Sequence, residues 1–145
     1  RALLRKPVDI TPVWIMRQAG RYLPEYQAIR INYSLEEMFR LPKLIYAITK
    51  QPIDILGVDA AIIFADILHV PLTLGCEVTF PKKQGPLVTC PDQFYIKDVE
   101  KTLGFVKEGI HLLKQDLEVP LIGFCGGPYT VMKYMMGKKW LYQNR

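Results

Sequence analysis

No stretch of this 145-residue chain approaches 18 uninterrupted apolar residues, because Asp59, Asp66, His69 and Pro71 break the longest apolar run, residues 58–72. A transmembrane helix is thereby excluded, since a bilayer core takes about 20 such residues to cross. Cysteine is scarce: Cys76, Cys90 and Cys125 are odd in number and far apart, with no CxxC pair and no histidine at ligand spacing. That argues against a disulfide framework and against a zinc site. The three read as reduced, buried thiols of a cytosolic protein, in which the Asn32-Tyr33-Ser34 glycosylation match is chance. No GxGxxG or Walker-type loop occurs, Gly126-Gly127-Pro128 lacking both the spacing and the lysine, so no nucleotide cofactor is expected. Runs of Lys and Arg are missing too; the arginines stand singly among apolar and aromatic residues, unlike a stripe that tracks nucleic-acid phosphates. With no internal repeat, low-complexity segment or linker, the chain reads as one compact soluble domain or less.

Half the residues are hydrophobic and 23% are charged, enough apolar material for a core and too much for a disordered tail. There are 19 Lys plus Arg against 14 Asp plus Glu, a net charge of +5. Residues 1–50 hold 9 basic and 4 acidic side chains, so the whole excess sits in the first third. An anion is expected to meet that end, in a discrete pocket. The chain opens at Arg1, not at an initiator Met, which leaves a targeting segment ahead of it open.

Residues 12–16, Pro-Val-Trp-Ile-Met, are a short apolar run that predicts a buried strand leading into Arg17-Gln18-Ala19-Gly20-Arg21. Ser34 and Glu37 make a capping-box pattern, and Pro42 precedes Leu44, Ile45 and Ile48. A helix over 34–50 follows, broken near Pro42 and ended by Pro52 and Gly57. Residues 58–66 are hydrophobic on both faces apart from Asp59 and Asp66, the pattern of a central parallel strand with Asp66 at its C-terminal end. Residues 73–95 carry β-rich pieces divided by Pro and Gly, an excursion of short strands or turns. Asp98 then starts a helix whose stripe is Val99, Leu103, Val106, Ile110, Leu113 and Leu117. A second buried strand at 120–125 ends in Gly126-Gly127-Pro128, which turns the chain into a helix from about 129 to 136. The fold class is α/β, built from βαβ units, either a doubly wound sheet or part of a (β/α)₈ barrel. In both, chemistry lies at the C-terminal ends of the strands.

Those ends present Arg17 and Arg21, then Asp66, then the glycine turn with Tyr134 beyond it. One helical turn or a tight loop would put both guanidinium groups on one side, able to grip two carboxylates bidentately, although ordinary pairing with Glu25 is an equally open reading. Asp66, at the end of Ile62-Ile63-Phe64-Ala65, is either paired, an N-cap for the next segment, or a charge facing a cavity. Tyr134 lies among Met132, Met135 and Met136, a setting more often of core than of catalysis. His69 and His111 have no Ser or Cys partner in sight and read as bystanders.

Together these residues resemble a known family. Residues 12–26, PVWIMRQAGRYLPEY, are similar to the N-terminal signature of the uroporphyrinogen decarboxylases. Residues 59–68, DAAIIFADIL, resemble the segment around the family's essential aspartate. Residues 120–132, PLIGFCGGPYTVM, with Tyr134 and Met135, resemble its later strand and tyrosine segment. The resemblance implies a (β/α)₈ TIM barrel, a cytoplasmic homodimer that uses no metal or cofactor. It further implies removal of the four acetate carboxyl groups of uroporphyrinogen III to give coproporphyrinogen III, in haem biosynthesis. Carried over residue by residue, Arg17 and Arg21 match the family's substrate-carboxylate arginines, Asp66 its central aspartate and Tyr134 its active-site tyrosine. Uroporphyrinogen III as partner, with neither nucleic acid nor membrane, accounts for the local positive charge: the substrate carries eight carboxylates, and four pyrrole N–H groups that one aspartate can accept.

Two departures stand out. Ala65 occupies a position where the family usually has Ser, and Gly137 runs straight into Lys138-Lys139-Trp140-Leu141 where the family has a glycine-rich loop. A barrel of this kind takes about 250 residues. Residues 1–145 are therefore expected to be the N-terminal portion of a single decarboxylase barrel domain, one that by itself neither closes a barrel nor decarboxylates. Two other readings stay open: a methyltransferase of the same superfamily, which would need a zinc site of His and Cys, and a truncated, non-catalytic tetrapyrrole-binding module.

Overall fold

The computed structural model describes residues 1–82 and 84–137; Lys83 and the expected Lys138-Lys139-Trp140-Leu141 stretch lie outside them. After a short 3₁₀ turn at Ala2–Leu4, the order is α1 (Pro24–Asn32), α2 (Leu35–Arg40), α3 (Pro42–Leu56), β1 (Ala61–Ile62), α4 (His69–Thr73), β2 (Glu77–Thr79), β3 (Leu87–Thr89), α5 (Val99–Thr102), α6 (Gly104–Asp116), β4 (Leu121–Ile122) and α7 (Pro128–Met136). β1 and β4 pair in parallel, Ala61 opposite Leu121 and Ile62 opposite Ile122, while β2 and β3 form an antiparallel hairpin in the crossover between them. The class is α/β, as the sequence predicts. No helix among the described residues is long and apolar enough to cross a membrane.

α3 sits at the centre of the packing. Ile45 meets Ile63 and Leu113, with Phe105, Ile110 and Leu121 against them, whereas Ile48 meets Leu23, Tyr26 and Met38, with Phe64 packed alongside. Ile63 and Phe64 thus leave the same strand end for opposite clusters, which is the alternation of an extended chain covered on both faces. Gly109 lets α6 approach α3 closely, since a Cβ there would stand 2.8 Å from Ile45 Cγ2. Thr49, fully buried on α3, accepts the Phe64 N–H at 2.9 Å and ties the strand end to the helix. Outside this contact, Tyr46 and Lys50 both bond the Asp116 carboxylate, joining α3 to the end of α6.

The Ser34 capping box forms as expected, and Leu41 separates α2 from α3. Pro52 does not end α3. It is buried inside the helix, which runs on to Leu56 and stops at Gly57 in the left-handed region (φ 65°); the lost N–H costs one helical bond, and the burial of Pro52 in the core offsets it. α1 was not foreseen, although Pro24 at its first turn and Glu25 behind it are start signals. Asp98 caps a helix through the Lys101 N–H, but Leu103 divides that helix in two and leaves Val99 half exposed.

The expected buried strand at residues 12–16 is absent. Those residues are irregular, with Trp14 47% and Met16 75% exposed. Side chains have taken the bonds a ladder would use: the Asp59 carboxylate accepts the Val13 N–H and the Gln18 amide oxygen accepts that of Ile15. Pro12 supplies no donor, and one main-chain bond, Asp59 N–H to the Val13 carbonyl, holds the segment beside the start of β1.

Candidate functional site

A cavity of about 440 Å³ opens at the C-terminal ends of β1 and β4. Ile62, Ile63, Phe64 and Ala65 form its floor, Ile122 and Phe124 one side, and Trp14, Met16, Arg17 and Gln18 the other, with Phe39 closing the end. Strand ends are where a parallel α/β fold leaves main-chain groups and side chains free to meet a ligand.

Arg17 owes its place to a strained turn. Its φ is +61°, a left-handed conformation that a non-glycine residue rarely adopts and that costs about 1–3 kcal/mol. Gln18 holds the turn. Fully buried, it donates its N–H to the Ile15 carbonyl (3.0 Å), accepts the Ile15 N–H on its amide oxygen (3.0 Å), and donates its side-chain amide to the Ala60 carbonyl (2.7 Å). The Tyr22 hydroxyl donates to the Gln18 carbonyl at 2.8 Å. A polar side chain buried this completely is stable only when satisfied, and its satisfaction aims Arg17 at the cavity. Sequence reasoning missed Gln18; its signal was an amide placed beside an apolar run, with no water to turn to.

Arg21 lies on the exposed loop before α1 and is not among the residues lining the cavity. The two arginines share a tight loop, not a helical turn. Arg21 and Arg30 pull the Tyr26 hydroxyl's pKa down, though burial outweighs them and leaves it raised.

Asp66 follows β1 as expected but faces a second, smaller hollow of about 20 Å³, with Glu36, Arg40, His69, Phe80 and Phe105 around it. Phe39 belongs to both hollows and separates them; its ring stacks on Phe64 at 4.8 Å and leans on Phe80 at 5.4 Å. Burial raises the Asp66 carboxyl above the usual carboxylate range and outweighs the backbone N–H groups of Ile67 and Leu68, which pull its pKa down. Asp66 is a desolvated acid; the helix that follows is N-capped by Leu68 without a side-chain bond, so the N-cap reading of Asp66 fails. His69 lies in the same hollow, its pKa lowered by burial and its ring edge-on to Phe105. His111 is exposed and pairs with Gln115 along α6.

Gly127 caps α7, and Gly126 brings the chain against β1's far end: a Cβ there would meet Val131 Cγ2 at 2.5 Å and the Ile67 carbonyl at 2.8 Å. Tyr134, half buried on this helix, lines neither hollow. The structure thus brings Arg17 to the cavity, sets Asp66 behind Phe39, and leaves Arg21 and Tyr134 outside both. Of the thiols, Cys76 is buried, Cys90 half buried and Cys125 exposed, so the expectation of buried cysteines fails for Cys125, at the strand end beyond β4. Among the described residues no group of three or more His, Cys, Asp or Glu side chains is placed to hold a metal ion.

A parallel strand pair covered by helices, with a cavity at its C-terminal ends, defines an α/β protein, and the two comparisons that follow make the fold one of TIM-barrel type. Its backbone is similar to that of a methyltransferase from Methanosarcina mazei, with a TM-score of 0.67 over 98% of this chain and 45% of that one, at 23% identity, a likeness of fold alone. Residues 1–145 match the model of the uroporphyrinogen decarboxylase family, URO-D, and the chain belongs to that family. It is 43% identical to the uroporphyrinogen decarboxylase of Salinibacter ruber, covering 96% of this chain and 45% of the relative. It is 46% identical to that of Roseiflexus sp., covering 92% and 41%. The chain spans under half the length of the curated relatives it matches.

Proposed function

We propose that the chain supplies the N-terminal, substrate-gripping portion of a uroporphyrinogen decarboxylase: a closed (β/α)₈ barrel, homodimeric and cytoplasmic, that works without metal or organic cofactor. The observation that carries this reading is the Gln18-clamped turn, which spends backbone strain to hold Arg17 over a cavity at the strand ends. Strain kept in a folded protein marks a position where function outweighs stability. Arg17 and Arg21 meet the acetate and propionate carboxylates, for which guanidinium forks are suited. Asp66, with Phe39 swung from between the hollows, accepts the pyrrole N–H groups, and Tyr134 completes the site.

In the reaction a ring carbon of the pyrrole takes a proton, and the ring becomes a cation. The acetate C–CO₂ bond then breaks, and its electron pair neutralises the ring as an exocyclic methylene. Protonation of that methylene and loss of the ring proton leave a methyl group, one proton consumed for each CO₂ released. Asp66 stabilises the cationic stages, and Arg17 assists proton delivery.

The test is a chimera in which residues 1–137 of this chain replace the matching part of the Salinibacter ruber relative, assayed anaerobically with uroporphyrinogen III. Coproporphyrinogen III is the expected product, and Asp66→Asn should lower its rate by a factor of about 100 or more. A folded chimera that releases no CO₂ where its parent does would refute the reading. The isolated chain is expected to bind the tetrapyrrole without turning it over.

A further inference from the structure

Cys76 and Cys90 are far apart in sequence, but the hairpin sets them face to face. Its register pairs Glu77 with Thr89 and Val78 with Val88, and the next step outward opposes Cys76 to Cys90. Directly opposed residues of an antiparallel pair have Cα atoms about 4.5–5.5 Å apart, inside the range a disulfide spans. The two sulfurs already stand 3.0 Å apart as free thiols, Cys76 donating to Cys90, and the Cys90 thiol in turn donates to the Met135 carbonyl of α7 at 3.7 Å.

We propose that Cys76 and Cys90 are a redox pair that closes to a cross-strand disulfide by exchange with a low-molecular-weight disulfide, and that closure releases α7, the helix of Tyr134, from its thiol anchor. Cys90, the more accessible of the two, attacks one sulfur of the small disulfide and expels a thiolate. That thiolate takes the proton of Cys76, whose thiolate displaces the second thiolate from Cys90; the second thiolate takes up, through solvent, the proton that Cys90 gave up before its attack. The two cysteines are oxidised by two electrons, and the small disulfide is reduced to two thiols. Burial and the bond to Cys90 push the Cys76 pKa up, so Cys76 serves as the resolving thiol and Cys90 as the entering one. Once closed, the pair has no S–H left to offer Met135. Cys76 is held for this step by its own N–H to the Pro71 carbonyl, 3.0 Å, and by Gly75 at φ +90° under the Tyr95 ring. The inference is independent of whether the chain takes part in decarboxylation.

The full chain is equilibrated with oxidised glutathione and its intact mass and peptides are read. The expected result is loss of two hydrogen masses, a peptide joining Cys76 to Cys90, and full reversal by dithiothreitol. Cys125→Ser should keep the bridge, and Cys76→Ser should leave a glutathione adduct on Cys90. Amide exchange over residues 131–137 should quicken in the oxidised Cys125→Ser protein, which controls for folding because its sequence is otherwise intact. A stable adduct on Cys90 with both cysteines present, a bridge to Cys125, or no reaction would overturn the pairing; a bridge with unchanged exchange on α7 would overturn the coupling.

Discussion

The face where α3 meets α6 and the rim where the strands end are built on opposite terms. On the first, Ile45, Ile63 and Leu113 interlock, Gly109 removes its side chain so that two helices touch, and Tyr46 and Lys50 share Asp116 outside. At the rim, Arg17 sits in a left-handed turn, Trp14 and Phe124 are about half exposed, and Asp66 is a carboxylate partly stripped of water. One face gains stability from every contact; the other holds groups in states they would leave if released. A scaffold with a firm back can carry a strained front, the division expected where binding is placed on a rigid support.

Substitutions can break or sharpen that contrast. Leu113→Ala, in the firm region, should cost about 2–5 kcal/mol, read as a drop in the urea midpoint, and the tetrapyrrole binding proposed above should persist at temperatures where the variant stays folded. Gln18→Ala comes next: it orphans the Ala60 carbonyl and the Ile15 N–H, at about 1–3 kcal/mol, and should also weaken binding through the loss of Arg17's turn. If binding holds while stability falls, the clamp does not position Arg17. Arg17→Gly should do the reverse, raising stability by up to about 1 kcal/mol, because glycine accepts the positive φ, while lowering the proposed affinity for the anionic tetrapyrrole.

The smallest expected effect is on pH. Asp66 has its folded pKa raised by burial, so its protonated form favours the fold. That contribution is fully present below the ordinary carboxylate pKa and is lost as pH rises through the raised value. Asp66→Asn should therefore show a flatter urea-midpoint profile across mildly acidic pH and be no less stable than the parent at neutrality. A variant that is less stable at neutral pH would mean that Asp66 is held there for structure.

The firm region was the legible one. Its stripe at Val106, Ile110, Leu113 and Leu117 and the Ser34 capping box follow from local periodicity and caps, which depend on near neighbours in sequence. So do the positions of the two strands, although each is only two residues long and the expected buried strand at 120–125 is half buried at Leu121 and Ile122 and exposed at Phe124 and Cys125. The rim was only half legible. That Arg17 and Asp66 each line a hollow was legible because charge after an apolar run demands a reason. Their separation by Phe39 was not, because it depends on which way an aromatic ring of α2 packs against β1. The strand expected at residues 12–16 failed for a related cause: apolar composition says nothing of Asp59 and Gln18 taking its N–H groups. The opposition of Cys76 and Cys90 was hidden likewise, since hairpin register lies in the turn and not in cysteine spacing.

The pairing of Ala61 with Leu121 also sets an order of assembly. Everything between those residues, the hairpin and α5 with α6, can form from short-range contacts, whereas the parallel pair must wait for a long loop to close, which slows a folding chain. In a refolding experiment with pulsed hydrogen exchange, the α3 amides should gain protection before those of Ala61 and Ile63, which donate to Pro120 and Ile122. The cavity, lined by Ile62 and Ile122 of that strand pair, is then the last part of the molecule to come into existence, and any chaperone or ligand that captures the late intermediate acts on a protein whose back is finished and whose mouth is not.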